Sequence, residues 1–173
     1  MRAGIALGSN LGERLPALEQ ARLALLRLPG VLGPLLSSRL FETDPVDAQP
    51  NSGRFLNAVV EINYSGQAYD LLDGLQSIEA SMGRPSKRPR NAPRTIDLDI
   101  LYLGNLTLST PEIVIPHPRL HLRRFVLKPL CDIRPELLLP GQQRCAHELL
   151  EALNDPAAVE LAVTQWSIEP INA

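Results

Sequence analysis

Two carboxylates, Asp97 and Asp99, stand in the run Arg94-Thr95-Ile96-Asp97-Leu98-Asp99-Ile100-Leu101. Read as a strand, the run puts Ile96, Leu98 and Ile100 on one face and Thr95, Asp97 and Asp99 on the other. The α-carbons of the two acids are then about 6.5–7 Å apart. Side-by-side carboxylates repel, and burying either one unpaired is costly. Immediately upstream, Arg84 to Arg94 carries five cations and no acid. A metal-binding pair beside a basic loop is what a polyphosphate with bound Mg²⁺ requires. A bare D-x-D more often marks a wet strand face. Here the next residue on that face is apolar Leu101 and the neighbouring charge is all of one sign, which favours the metal.

The elements that must hold this pair follow from periodicity. Residues 2–7 read as a buried strand, and Ser9 or Asn10 as the cap of a helix running to about Leu28. The turn Gly8 to Gly12 matches neither common phosphate-loop pattern. Residues 35–41 read as a second strand, and residues 42–54 as a polar loop long enough to suspect function. Phe55 to Tyr64 alternates, with Leu56, Ala58, Val60 and Ile62 on one face and Phe55, Asn57, Val59 and Glu61 on the other. Asn57 on that half-apolar face is equally a satisfied structural amide or an amide that reads a heterocycle edge. Leu71, Leu75, Ile78 and Met82 give a helix over 67–82, with Gln76 and Glu79 flanking its stripe. Gly83 ends it, and Pro85, Pro89 and Pro93 keep the basic loop open. Gly104-Asn105 suits a hairpin into Leu106-Thr107-Leu108. A second cluster of cations and imidazoles runs from His117 to Arg124. A short helix over 144–153 and an edge strand over 159–166 complete the reading. Alternating strands and a hairpin favour an α+β fold with an antiparallel or mixed sheet over a doubly wound one.

The whole chain sets bounds on function. Its 173 residues, 45% hydrophobic, suit one globular domain, 1–173. A net charge of −2 gives no global field for nucleic acid or anionic membrane. Between Arg84 and Lys128, however, nine Lys or Arg face three acids. Cys131 and Cys145 lack C-x-x-C spacing and read as small buried apolar residues rather than as a disulfide or metal site. With neither a signal peptide nor a membrane span in view, a soluble cytoplasmic protein is expected.

Four stretches resemble the 6-hydroxymethyl-7,8-dihydropterin pyrophosphokinases of folate biosynthesis. They are Ala6 to Gly12, Phe55 to Ala58, Gly83 to Leu101, and Ile115 to Leu130. The third is the most specific, and nothing after about residue 141 matches. The resemblance implies a ferredoxin-like α+β fold with helices on the faces of the sheet. It implies transfer of pyrophosphate from MgATP to the pterin's hydroxymethyl group, leaving AMP. Asp97 and Asp99 would bind two Mg²⁺ ions, with Arg84 and Arg94 on the phosphates. Thr43, Pro45, Val46 and Asn57 would line the pterin pocket, the ring lying between Phe55 and Phe125. Gln76, Glu79, Ile100, His117 and Arg123 would contact nucleotide. Loops near 11–14, 44–54 and 84–93 would close over the substrates. The expected partners are ATP and the pterin, with no nucleic acid or membrane, for a monomer.

The chain departs from the family's usual residues at Asp47, Phe55, Ser86, Asn91 and Glu112, and none of these touches the acid pair. Phosphoryl transfer needs positioning and charge neutralisation rather than a covalent nucleophile, and the residues present supply both. An RNA-binding module is a rival, but aromatics are only 4% of the chain and the two acids would repel a phosphate backbone. A binding protein without turnover is a second rival, opposed by the intact Asp97, Asp99, Arg84 and Arg94.

Overall fold

The structure, a computed structural model, describes residues 1–44, 53–83 and 94–166. The expectations placed on Pro45, Val46, Asp47, Arg84, Ser86 and Asn91 lie outside those residues. The elements in order are β1 (Arg2–Ser9), α1 (Arg14–Leu25), β2 (Val31–Ser37), β3 (Leu40–Thr43), β4 (Phe55–Tyr64), α2 (Ala68–Ser81), β5 (Asp97–Leu103), β6 (Leu108–Ser109), β7 (Val114–Ile115), α3 (Arg124–Ile133), α4 (Ala146–Ala152) and β8 (Val159–Val163).

The main sheet runs β5-β1-β4-β3-β8, with β2 also paired to β4. Every described pairing is antiparallel. The α+β, ferredoxin-like expectation holds, and of the two sheet types it allowed, the antiparallel one is found. Alternation explains the layering. Ile5 and Leu7 of β1, Leu56, Ala58, Val60 and Ile62 of β4, and Leu98 and Ile100 of β5 share one buried cluster with α1 and α2. On the opposite face, Val59, Leu101 and Tyr102 pack against Val126, Leu127 and Leu130 of α3 and Ala146 of α4. A bulge between Gly4 and Ile5 brings both Leu101 and Tyr102 to that second cluster. Strand β4 is therefore covered on both faces.

Several local expectations change. Helix α1 starts at Arg14, with Glu13 flanking it, so neither Ser9 nor Asn10 caps it; Ser9 ends β1 and Asn10 bonds elsewhere. The strand expected over 35–41 is two strands, parted where the Ser38 hydroxyl bonds to the Arg39 carbonyl and accepts the Val59 N–H. The Gly104 turn forms, at φ 52, but β6 pairs with β7 and not with β5. The outer edge of β5 is already engaged: Glu79 Oε1 accepts the Leu98 N–H and the Leu101 carbonyl accepts the His117 N–H. Helix α3 was not anticipated; Pro129 interrupts its helix-forming character from within.

The chain after residue 141 adds β8 to the edge of β3 and sends Trp166 into the core, its Nε1 donating to the Ser38 carbonyl. Arg22 lies over that ring, 4.5 Å from its centroid. Among the described residues no helix is long and apolar enough to cross a membrane, and both cysteines are free but half-buried, not fully buried as expected.

Candidate active site

Register places the site's floor. Gly8 on β1 pairs with Asp97 on β5 and with Asn57 on β4, so one row crosses the sheet as Asp97–Gly8–Asn57. Paired residues point to the same face, here the face partly roofed by α3. Strand spacing sets the backbones of Asp97 and Asn57 about 10 Å apart. Gly8 keeps the space between them open. A Cβ there would sit 3.3 Å from Asn57 Oδ1 and 3.9 Å from the Phe55 ring. One row over, Asp99 pairs with Ala6.

Asn57 proves to be oriented from within the protein. Its Nδ2 donates to Thr43 Oγ1 at 2.8 Å, both residues being almost fully buried. The amide nitrogen is thus committed to Thr43, and Oδ1 is the end turned toward Gly8. Phe55 lies two residues away on the same face, and the Arg94 guanidinium stands 5.9 Å from its ring centroid.

Arg94 Nη1 donates to Asp97 Oδ2 at 2.5 Å. Its backbone is gripped by Asn10: the Arg94 N–H donates to Asn10 Oδ1 and the Asn10 N–H donates to the Arg94 carbonyl. Arg94 Nε, buried, has no hydrogen-bond partner among the described residues. A buried cationic donor without an acceptor fits an anionic ligand supplied from outside.

The wall opposite is built from the segment leading into α3. His117 hangs from the β5 edge by its backbone N–H, and its Nδ1 accepts the Arg119 N–H at 3.1 Å. Burial first, then the neighbouring Arg123 and Arg119, push its pKa down to about 4. At neutral pH it is a neutral imidazole with the proton on Nε2, a donor rather than a base. Arg123 is held below the ordinary arginine value by burial and by Arg119, while Asp99 and Asp97 pull it the other way. Its guanidinium lies 5.4 Å from the centroid of Phe125. The two acids, Arg94, Arg123 and His117 therefore form one electrostatic group.

The remaining expected residues sit differently. Glu79 is 7% exposed and supports the β5 edge. Gln76 is exposed on α2, about one turn earlier. The Ile100 side chain belongs to the core shared with α1 and α2. Because the Leu98 N–H points away from β1, ladder alternation aims the backbone N–H and C=O of Ile100 outward too. Any contact Ile100 makes with a nucleotide is through that backbone. Asn10 was missed as a site residue; its signal was a polar residue just past a buried strand, read only as a cap.

The donor set suits a hard divalent cation, since Asp97 and Asp99 offer carboxylate oxygens on one face. Among the described residues no group of three or more His, Cys, Asp or Glu could hold a metal alone. The pair therefore fits an ion whose other ligands arrive with a phosphate.

A family model described as 7,8-dihydro-6-hydroxymethylpterin-pyrophosphokinase matches residues 4–135. The 2-amino-4-hydroxy-6-hydroxymethyldihydropteridine pyrophosphokinase of Bacillus subtilis is 43% identical over 131 residues, 76% of this chain and 77% of that protein. The protein of the same name from Pseudomonas aeruginosa is 40% identical over 151 residues, 87% of this chain and 91% of its own length. Among solved structures, an HPPK-DHPS in complex with substrates superposes with a TM-score of 0.67 at 15% identity, over 87% of this chain. A Plasmodium falciparum HPPK-DHPS gives 0.64 at 16% identity. This chain spans less than half of either, 43% and 44%, and the likeness bears on fold alone.

Proposed function

The chain belongs to the 7,8-dihydro-6-hydroxymethylpterin-pyrophosphokinase family, and on that premise we propose how its residues perform the reaction. The activity is transfer of pyrophosphate from ATP to the hydroxymethyl group of 6-hydroxymethyl-7,8-dihydropterin, leaving AMP, in folate biosynthesis.

The row Asp97–Gly8–Asn57 carries the assignment of roles. It puts a carboxylate suited to a metal and an amide suited to a pterin on one floor, with an empty strand position between them. Asn57 Oδ1, fixed by the bond from Nδ2 to Thr43, accepts hydrogen bonds from the pterin's ring donors. Phe55 and Phe125 hold the ring from its two sides, and Thr43, Pro45 and Val46 complete the pocket. Asp97 and Asp99 would hold two Mg²⁺ ions. When bound, these ions neutralise the triphosphate and acidify the attacking hydroxyl. Arg94 turns from Asp97 to the phosphates, satisfying its buried Nε, and Arg84 acts with it. Arg123 and the Nε2–H of His117 donate to the nucleotide, which also meets Gln76, Glu79 and the backbone of Ile100. His117 is not needed as a general base, since the metal ions acidify the hydroxyl and its Nδ1 already accepts the Arg119 N–H.

The chain works as a single domain and a monomer in the cytoplasm, with ATP and the pterin as its partners. Product analysis tests the reading: purified protein is mixed with ATP, Mg²⁺ and 6-hydroxymethyl-7,8-dihydropterin, with the pterin omitted as control. Pterin-dependent AMP is expected. ADP would mean transfer of a single phosphate, and no turnover would leave a binding protein.

A further inference from the structure

Helix α3 starts at Arg124 with no capping side chain in its own N-terminal turn. The carboxylate that serves it comes from far along the chain. Asp155 Oδ2 accepts the backbone N–H of Arg124 at 3.2 Å, while Oδ1 accepts the Ala157 N–H at 2.9 Å and so folds its own loop around the carboxylate. The Arg124 side chain doubles the attachment. Its Nε donates to the Asp155 carbonyl at 3.1 Å and its Nη2 to the Leu153 carbonyl at 3.0 Å. A carboxylate at a helix start answers an otherwise orphaned N–H and the positive end of the helix dipole.

The residues on either side of Arg124 are Arg123 and Phe125. Asp155 lies between α4 and β8, beyond the residues 4–135 that the family model matches. We propose that Asp155 is a positioning residue for pyrophosphoryl transfer: by fixing Arg124 in the first turn of α3, it sets where Arg123 and Phe125 stand over the substrates. The proposal rests on the roles given above to those two residues. Without the tie the first turn frays, and part of the substrate's binding energy is spent on ordering it. Asp97, Asp99 and Arg94 are carried by β5 and the segment before it, so the effect falls on KM rather than kcat.

Steady-state kinetics on the full chain tests this. Asp155→Ala raises the pterin KM about fivefold with kcat changed less than about twofold, the size expected of a lost helix cap. Asp155→Asn, which still offers an acceptor to the Arg124 N–H, recovers most of the loss. In a Phe125→Ala background, Asp155→Ala adds nothing further to the pterin KM, whereas a merely structural role would multiply it in both backgrounds. An unchanged pterin KM in Asp155→Ala, beside a raised one in Phe125→Ala, overturns the proposal and leaves the site reading standing. An unchanged KM in Phe125→Ala overturns both. Should Asp155→Ala not fold, Arg124→Met keeps the backbone bond and removes the guanidinium ones. A raised pterin KM there supports the proposal, and an unchanged one overturns it.

Discussion

Asn10 and Arg94 hold each other in a closed pair of hydrogen bonds, 2.8 Å from the Arg94 N–H to Oδ1 and 3.1 Å from the Asn10 N–H to the Arg94 carbonyl. The pair joins the end of β1 to the start of the segment that leads into β5. It fixes the backbone from which the Arg94 guanidinium reaches Asp97. Asn10 is 7% exposed, and its loss leaves the part-buried Arg94 N–H without its acceptor.

Asn10→Ala should therefore cost about 1–2 kcal/mol of stability and lower kcat/KM about tenfold through misplacement of Arg94. Urea melts and initial rates measure the two separately. A variant that loses stability at full kcat/KM would show that the clamp serves the fold alone.

Asp97→Ala and Asp99→Ala should each fold and melt near the parent while losing Mg²⁺-dependent AMP formation, by about 10² or more. Circular dichroism and a nucleotide assay over a Mg²⁺ series suffice. Parent-like turnover in either variant sinks the two-metal assignment.

His117 makes stability fall on acidification. Its pKa is about 4 in the folded protein, against 6.5 for an ordinary histidine. Above 6.5 it is neutral in both states and contributes nothing. Between 6.5 and 4 the unfolded chain binds a proton that the folded chain does not, and the loss is complete below 4. After discounting for its partial exposure the effect is on the order of 2 kcal/mol. Between pH 7 and 4.5 the urea midpoint should fall further for the parent than for His117→Gln. Equal losses would assign the acid sensitivity elsewhere.

Gly4→Ala should destabilise by about 2–3 kcal/mol or more, the cost of overpacking a filled core. The added Cβ would stand 2.1 Å from the Tyr102 ring. That ring crosses Gly4 so that its hydroxyl can donate to Glu61 at 2.6 Å, and Glu61 in turn pairs with Arg134 of the α3 terminus. Thermal melting reads the result. A neutral substitution would mean that Tyr102 has another place to go.

The most regular elements were legible in the sequence. Alternation in Phe55–Tyr64 and Asp97–Leu103 put Asn57, Phe55 and both acids on identifiable faces, because strand geometry ties side-chain direction to position. Helix α3 was not seen, although Val126, Leu127 and Leu130 have helical spacing, because the stretch was read for its cations and imidazoles alone and a proline lies within it. Asn10 was misread since a polar residue before a helix resembles a cap, while its real partner is distant in sequence. The Asp155 contact with Arg124 leaves no local pattern at all. The bond from the Leu98 N–H to Glu79, across nineteen residues, likewise leaves no local pattern, since it joins a helix side chain to a strand edge.

Strand β4 is hydrogen-bonded to β1 along one edge and to β2 and β3 along the other, under helices on both faces. Its amides should be among the slowest in the molecule to exchange with deuterium, opening only when the whole chain unfolds. Those of β8, paired only with β3 among the described residues, should exchange through smaller fluctuations. The Asn57 amide, proposed above to read the pterin, thus rides on the part of the molecule that opens last, and breathing at the periphery leaves its position undisturbed.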